Sequence, residues 1–571
     1  VKIAVFFAVT AVAVSAQSQF VQVTVPGLPG VTASSVAWGD YDNDGRLDFV
    51  LSGSLTISLW HNTGSGFSNV TATVATGLPG LYAGAVAWGD YDNDGRLDLL
   101  IAGMTNFSSG AVSGVWRNTG NGFTNVPVPG LPGVADSSVA WSDVDGDGRL
   151  DFLVAGTSNG VTSGAIAQLW RNTGIGFTNV PIPGLPPVHF GSLAVADFDN
   201  DGRSDFLMTG MTNSANGNSI SQLWRNTGNG FTNVPVPGLR GVYVSSVAWG
   251  DYDNDGRLDF LLEGLMGGTF ITELWHNTGV GFTNVPVPEL PTVADGSLAW
   301  ADYDNDGRLD FLVTGLSSDG AEVAQIWRNT GSGFTNIPIP DLPGNFQNAL
   351  AWGDFDNDGR VDFLFAGTIQ GAIVSELWRN TGALSNAPPS VAVGLTSTVF
   401  GDTVQLNWSP AADDHTPAAG LRYDVRVGTA PGAIDIISPE ADPATGWRRV
   451  PTLGILGENF SATLHLPPGQ YYWSVQAVDS GFAGSPFAAE QQFSIRPLLI
   501  NPVRHEDGVF EFSFTANSGA SFTAVAATDA SVSFNDWTVL GVVPEISPGH
   551  YQFTDAQVTN HPRRFYRVRS P

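Results

Sequence analysis

The chain has no cysteine, and in 571 residues it has one lysine, Lys2, and four methionines. Without cysteine, neither disulfides nor thiolate ligands hold the fold, so apolar cores or bound metals must do so, and a cysteine nucleophile is excluded. With Lys2 near the very start, the remainder has no Schiff-base lysine and no phosphate-loop lysine. Positive charge is scarce: 24 Lys+Arg stand against 54 Asp+Glu, a formal net charge of -30. Nucleic acid and anionic membrane are bound chiefly through excess positive charge, so neither is expected as a partner, and cations are. After the first 16 residues, no stretch approaches the roughly 18 to 20 apolar residues of a spanning helix. Those first 16, V-K-I-A-V-F-F-A-V-T-A-V-A-V-S-A, have the layout of a secretory signal, with cleavage expected near Ala16.

What is present is repetition. D-Y-D-N-D-G-R-L-D from Asp40 recurs from Asp90, Asp143, Asp197, Asp251, Asp302 and Asp354, seven copies spaced 50 to 54 residues apart. A second marker, W-[RH]-N-T-G, begins at Trp60, Trp116, Trp170, Trp224, Trp275, Trp327 and Trp378. Self-similarity at this period signals a solenoid, a propeller or an array. Each unit reads as four short strands punctuated by Gly, Asn and Pro, and no segment keeps a helical apolar period. That is the content of a propeller blade. The fourth-strand marker G-F-[ST]-N follows six of the seven W-[RH]-N-T-G turns and is missing after Trp378, whereas an extra strand, Phe20 to Val25, stands at the start. We therefore expect an all-β fold, a seven-bladed β-propeller over 17–382 closed by its N-terminal strand, since closure removes exposed edges.

The acidic stretch resembles the FG-GAP and VCBS repeats found in the integrin alpha-subunit propeller and in many exported bacterial proteins. The resemblance implies one Ca2+ per blade, about seven in all, bound through loop positions 1, 3, 5 and 9 and the backbone carbonyl of position 7. In this chain those are Asp40, Asp42, Asp44, Arg46 and Asp48; Asp90, Asp92, Asp94, Arg96 and Asp98; and Asp143, Asp145, Asp147, Arg149 and Asp151. The remaining four sets are Asp197, Asp199, Asp201, Arg203 and Asp205; Asp251, Asp253, Asp255, Arg257 and Asp259; Asp302, Asp304, Asp306, Arg308 and Asp310; and Asp354, Asp356, Asp358, Arg360 and Asp362. The residues themselves agree with this. Alternating aspartates place hard oxygens around a turn that Gly at position 6 lets bend, as calcium prefers. The loop is not an EF-hand, because position 12 is apolar in every copy, for example Leu51 and Phe365. Zinc favours nitrogen or sulfur ligands, and His61 and His276, which replace an arginine of the other units, read as exposed positions and not as ligands. The repeated tryptophans read as packing between blades, and the calcium as a staple.

In an up-and-down blade the acidic loops and the N-T-G turns share one face. The opposite face carries the connections between second and third strands, which differ sharply among otherwise similar repeats, and loops on a rigid frame are the usual place for recognition. Asn106, Asn159, Asn213, Asn216 and Asp319 are the polar candidates there for an extracellular glycan or protein ligand. No catalytic constellation can be picked out: G-T-S-N-G at 156–160 lies in a variable segment, and Glu263, Glu273 and Glu322 are isolated. A polysaccharide lyase on the same frame is the alternative, by analogy of fold alone.

After a linker over 383–390, strands resume. L-P-P-G-Q-Y-Y-W-S-V-Q-A resembles the sixth-strand region of a fibronectin type III domain, here 391–496, with Tyr471 or Tyr472 as corner tyrosine. Residues 498–571 read as a small all-β domain whose Arg563, Arg564, Arg567 and Arg569 lie on a solvated basic edge strand.

Overall fold

A computed structural model describes all residues except 1–18, 108–109, 159–163, 214–217, 453–459, 497–498, 506–508, 517–518, 558–562 and 570–571. The expected signal segment, Asn159 and Asn216 lie outside the described residues, as does the side chain of Asn213.

The chain is all-β and propeller-like. The first six repeats form antiparallel sheets of four strands, as in Ser35–Gly39, Asp48–Gly53, Thr56–Asn62 and Phe67–Asn69, the sixth with its first strand split into Val293–Ala294 and Leu298–Ala301. The second and third sheets are joined through one pairing, Val134 with Val112. In the last repeat, Phe346–Gly353, Asp362–Ile369 and Ala372–Asn380 lack a fourth strand of their own, and Phe20–Val23 supplies it, with Phe20 opposite Asn380 and Val23 opposite Leu377. The strand stops at Val23, two residues short of the expected Val25. First strands of successive repeats touch in cyclic order, and that of the last, Phe346–Gly353, meets Ser35–Gly39 of the first.

The axis is laced at both ends. Near the acidic loops, each first-strand indole donates to a carbonyl of the repeat before it: Trp88 to Ala37, Trp141 to Ala87, Trp249 to Ala194, Trp300 to Ala248, Trp352 to Ala299 and Trp38 to Ala351. The lacing skips the fourth repeat, where Val195 has no side-chain N–H to give. At the far end, residues with left-handed backbone pass hydrogen bonds around the axis, including Ala83 to Ala33, Asp295 to Val244, Gln347 to Asp295 and Ala33 to Gln347. In every repeat but the second, where Leu99 takes the place, the second tryptophan stacks on a second-strand phenylalanine, as Trp60 on Phe49 with centroids 5.9 Å apart. Both tryptophan sets are packing residues.

Two further groups of strands follow. Val393–Phe400, Thr403–Ser409 and Ser461–His465 form one sheet, and Arg422–Gly428, Gly469–Val478 and Gln491–Ile495 another; Trp408, Tyr423 and Trp473 fill the core of these strands. Of the two candidate tyrosines, Tyr471 is buried and donates to the Pro467 carbonyl at 2.7 Å. The last strands form two sheets around Phe512, Phe514, Phe522 and Tyr551. Phe565–Arg569 is an edge strand, as expected, but Arg564 beside it is not solvated: its guanidinium is buried against Asp555 at 2.7 Å. The aromatic core leaves that carboxylate no water, so an arginine must turn inward to meet it.

Candidate functional site

The acidic loops repeat one hydrogen-bond scheme. In the first, Asp40 Oδ1 accepts from the amide of Asp44 and Oδ2 from that of Gly45, at 3.0 and 2.8 Å, which curls positions 1 to 6 into a turn. Asp48, at position 9, opens the second strand and accepts from Tyr41 within the loop and from Asn62 in the W-H-N-T-G turn, at 3.2 and 2.7 Å. The loop and the N-T-G turn are therefore fastened together on one face. Arg46 adds to this by donating Nε–H to the Asn62 carbonyl, while its other end pairs with Asp44.

All seven position-9 aspartates, from Asp48 to Asp362, are fully buried. Burial first, and then the neighbouring carboxylates, push Asp48, Asp98 and Asp259 up to about 9 and Asp151 and Asp205 to about 8, despite the amide bonds that oppose the shift. Asp40, Asp197, Asp302 and Asp354 at position 1 rise to about 6 for the same leading cause. At position 3, Oδ1 of Asp92, Asp145, Asp199 and Asp304 is buried with no hydrogen-bond partner. Buried, mutually repelling carboxylates, with an orphaned oxygen in four of the loops, are groups a cation satisfies and amides alone do not. Clusters such as Asp40, Asp42 and Asp44, or Asp90, Asp92 and Asp94, bring one oxygen from each residue within 4.8 Å of one another and can hold a metal.

The structure adds three things that the pattern did not announce. The W-[RH]-N-T-G asparagine is an inter-repeat fastener: Asn118 donates Nδ2–H to the Tyr41 carbonyl of the preceding loop at 2.8 Å, Asn62 does so to Phe355, and every repeat does the same. The position-4 asparagine, in left-handed backbone, reaches forward to the glycine carbonyl of the next loop, as Asn43 to Gly95 and, closing the circuit, Asn357 to Gly45. Six loops make this link, and the exception has Gly146 at that place. The presence of asparagine there in six copies was the available signal.

Thirdly, the next group of strands is seated on the loop face. The Asp40 amide donates to the Arg449 carbonyl at 2.8 Å, the His465 amide to Gly146, and Ser480 Oγ to Asp302 Oδ2 at 2.7 Å. The Arg449 guanidinium, 1% exposed, donates to the Gly95 carbonyl and lies 4.0 Å from Asp90. The segment expected as a free linker is bonded in as well, with the Asn386 amide donating to Gly359. An axial cavity of about 550 Å³ is lined both by the tryptophan ring and by Arg422, Glu440 and Phe482 of the seated strands.

Two other expectations are corrected. Glu273 and Glu322 are not isolated: Glu273 pairs with Arg240 and accepts from Trp275, and Glu322 accepts from the Gln370 amide. Glu263 is wholly buried where other repeats carry Thr209 or Thr314. His61 and His276 are only 23% exposed and turn Nδ1 into the loops, because the shorter ring reaches the carboxylates only by lying over them. On the opposite face, Asp319 sits at an exposed hairpin tip bonded to Ser317 and Ala321, and Asn106 accepts from the Gly110 amide.

The model of the FG-GAP-like repeat family matches residues 40–101, 143–208 and 210–262. No curated protein matches the chain. Among solved structures, the Aleuria aurantia lectin in complex with Fucalpha1-6GlcNAc is 9% identical, with a TM-score of 0.32 over 55% of this chain and 97% of that one. The extracellular domain of a hybrid two-component system from B. thetaiotaomicron is 12% identical, with a TM-score of 0.39 over 88% and 65%. AofleA from Arthrobotrys oligospora is 14% identical, with a TM-score of 0.31 over 60% and 92%. Scores this low carry no argument about function. Loops outside the matched segments, at Asp302 and Asp354, repeat the same amide scheme as those inside them. The chain therefore carries FG-GAP-like repeats.

Proposed function

We propose that the protein is an exported, calcium-stapled seven-bladed propeller over residues 17–382 that acts in extracellular binding or adhesion to a glycan or protein. A fibronectin type III-like domain over 391–496 and a small β domain over 498–571 follow it. Each loop, with four aspartates and one arginine, carries a formal charge of -3. Aspartates at positions 1, 3, 5 and 9 with the position-7 carbonyl supply the hard oxygens that calcium takes, and the orphaned position-3 oxygens support that choice. When bound, calcium neutralises the loop and fixes its turn; the chain's own asparagines then pass that order from repeat to repeat.

The observation that carries the functional reading is the seating of Arg449, His465 and Ser480 on the loop face. It leaves the opposite face, with its unlike connections, open to a ligand. Phe107, 71% exposed, stands there edge-on to Tyr82 at 5.1 Å, an aromatic platform of the kind that recognises sugars and protein side chains. Glycan-array and pull-down screens with the full chain test this. A ligand whose binding falls at least tenfold in Phe107→Ala or with the Asp319 hairpin shortened supports the reading, and binding that survives replacement of these connections refutes it.

A further inference from the structure

The acidic loops are of two kinds. In five repeats the arginine after the third-strand tryptophan lies across its loop: Arg117 reaches Asp94 at 2.9 Å, Arg225 reaches Asp201 at 3.1 Å and Arg379 reaches Asp358 at 3.0 Å. In the first and fifth repeats the residue is histidine. His61 Nδ1 lies 3.2 Å from both Asp42 Oδ2 and Asp48 Oδ1. His276 Nδ1 lies 3.4 Å from Asp253 Oδ2 and 3.1 Å from Asp259 Oδ1.

Two consequences follow from this exchange. A neutral imidazole leaves its loop one positive charge poorer than a guanidinium does, so the histidine loops attract a cation more strongly. It also adds a nitrogen donor to an otherwise all-oxygen set. The spacing suits a small ion: bonds of about 2.0 to 2.2 Å to nitrogen and carboxylate oxygen at tetrahedral angles separate the donors by roughly 3.3 to 3.6 Å. The observed separations of 3.1 to 3.4 Å lie at or just under that range. In both repeats the nitrogen meets the same two partners, the position-3 and position-9 aspartates, so the arrangement recurs on independent copies of the loop.

We propose that the loops of the first and fifth repeats are mixed nitrogen–oxygen sites for a borderline divalent cation of the zinc type. Nδ1 of His61 or His276 is one ligand, with Asp42 and Asp48, or Asp253 and Asp259, as the others. The five arginine loops keep oxygen-only sets. This rests on the reading of the loops as cation sites given above, and refines it for two of them.

Cobalt(II) is the probe, because its visible absorption reports nitrogen and oxygen ligands directly. The full chain, stripped of metal and then held in excess calcium, is titrated with cobalt, and both metals are counted after gel filtration. The expected result is two retained cobalt ions. His61→Arg and His276→Arg, which install the residue of the other repeats, each lose one, and the double variant loses both with calcium elsewhere unchanged. No retained cobalt, or two retained by the double variant, overturns the proposal. If cobalt is retained as expected while calcium is absent from the remaining loops, the two sites stand and the general calcium reading falls. If calcium is present and cobalt is not, only the present proposal falls.

Discussion

The protein stripped of divalent cations is expected to lose stability as pH rises, and calcium is expected to abolish that loss. The cause is the buried carboxylate at position 9. In Asp48, Asp98 and Asp259 burial raises the folded value to about 9, against 3.8 for the ordinary group. A raised carboxylate binds its proton more tightly folded than unfolded. Its contribution is therefore full below pH 3.8 and is lost as pH rises toward 9, at up to about 1.4 kcal/mol per pH unit for each group. From pH 5 to pH 7 that is at most about 2.7 kcal/mol per site, and one site behaving so in full shifts a melt by several degrees. A bound cation takes the place of the proton and favours the charged form, so the calcium gain should be small at pH 5 and large at pH 8. Calorimetric melts of stripped and calcium-loaded protein across this range measure it directly. A calcium gain independent of pH, or a stripped protein more stable at pH 8 than at pH 5, refutes the reasoning.

Three tests, with five substitutions between them, probe the rest of the frame. Gly202 and Gly307 both occupy position 6 with φ +82, so alanine strains the backbone equally, but only at Gly307 does the new Cβ fall 1.9 Å from a carbonyl, that of His415. Gly307→Ala should unseat the following strands and open the 383–390 segment to protease, while Gly202→Ala leaves proteolysis at wild-type level. Asn118→Ala removes the donor to two buried carbonyls, Tyr41 and Leu97, and should cost about 2 kcal/mol or more in a melt; Asn43→Gly, which copies Gly146 and loses only an exposed bond, should cost under about 1 kcal/mol. Glu263 is wholly buried and burial pushes its carboxyl well up, so Glu263→Gln should leave the melting temperature at pH 7 unchanged; a large drop would show a charged carboxylate there.

Much of this was legible in the sequence, because repetition converts one weak pattern into seven concordant ones. The missing strand after Trp378 and the spare one at Phe20 assigned the N-terminal strand to the last repeat, where Phe20 lies opposite Asn380. Asp48 and Asn62 were separately visible as markers, although their hydrogen bond was not. What stayed hidden depends on contacts between segments that share no pattern. Arg449 lies between the strands Arg422–Gly428 and Ser461–His465, in a segment whose composition gives no hint that its guanidinium ends against Gly95, 354 residues away. His61 looked like a surface replacement because sequence shows the exchange of arginine but not the direction of the ring. Arg564 looked solvated because an edge strand hides its inner neighbours, here Asp555 and Tyr566.

The central claim is that the acidic loops are structural calcium sites, and anomalous diffraction from crystals of the full chain grown in calcium tests it most directly. The account predicts a calcium peak inside each of the five arginine loops, bound by the position-1, 3, 5 and 9 aspartates and the carbonyl of the position-7 arginine. Loops without a peak at saturating calcium, their aspartates held only by arginines and amides, would contradict it.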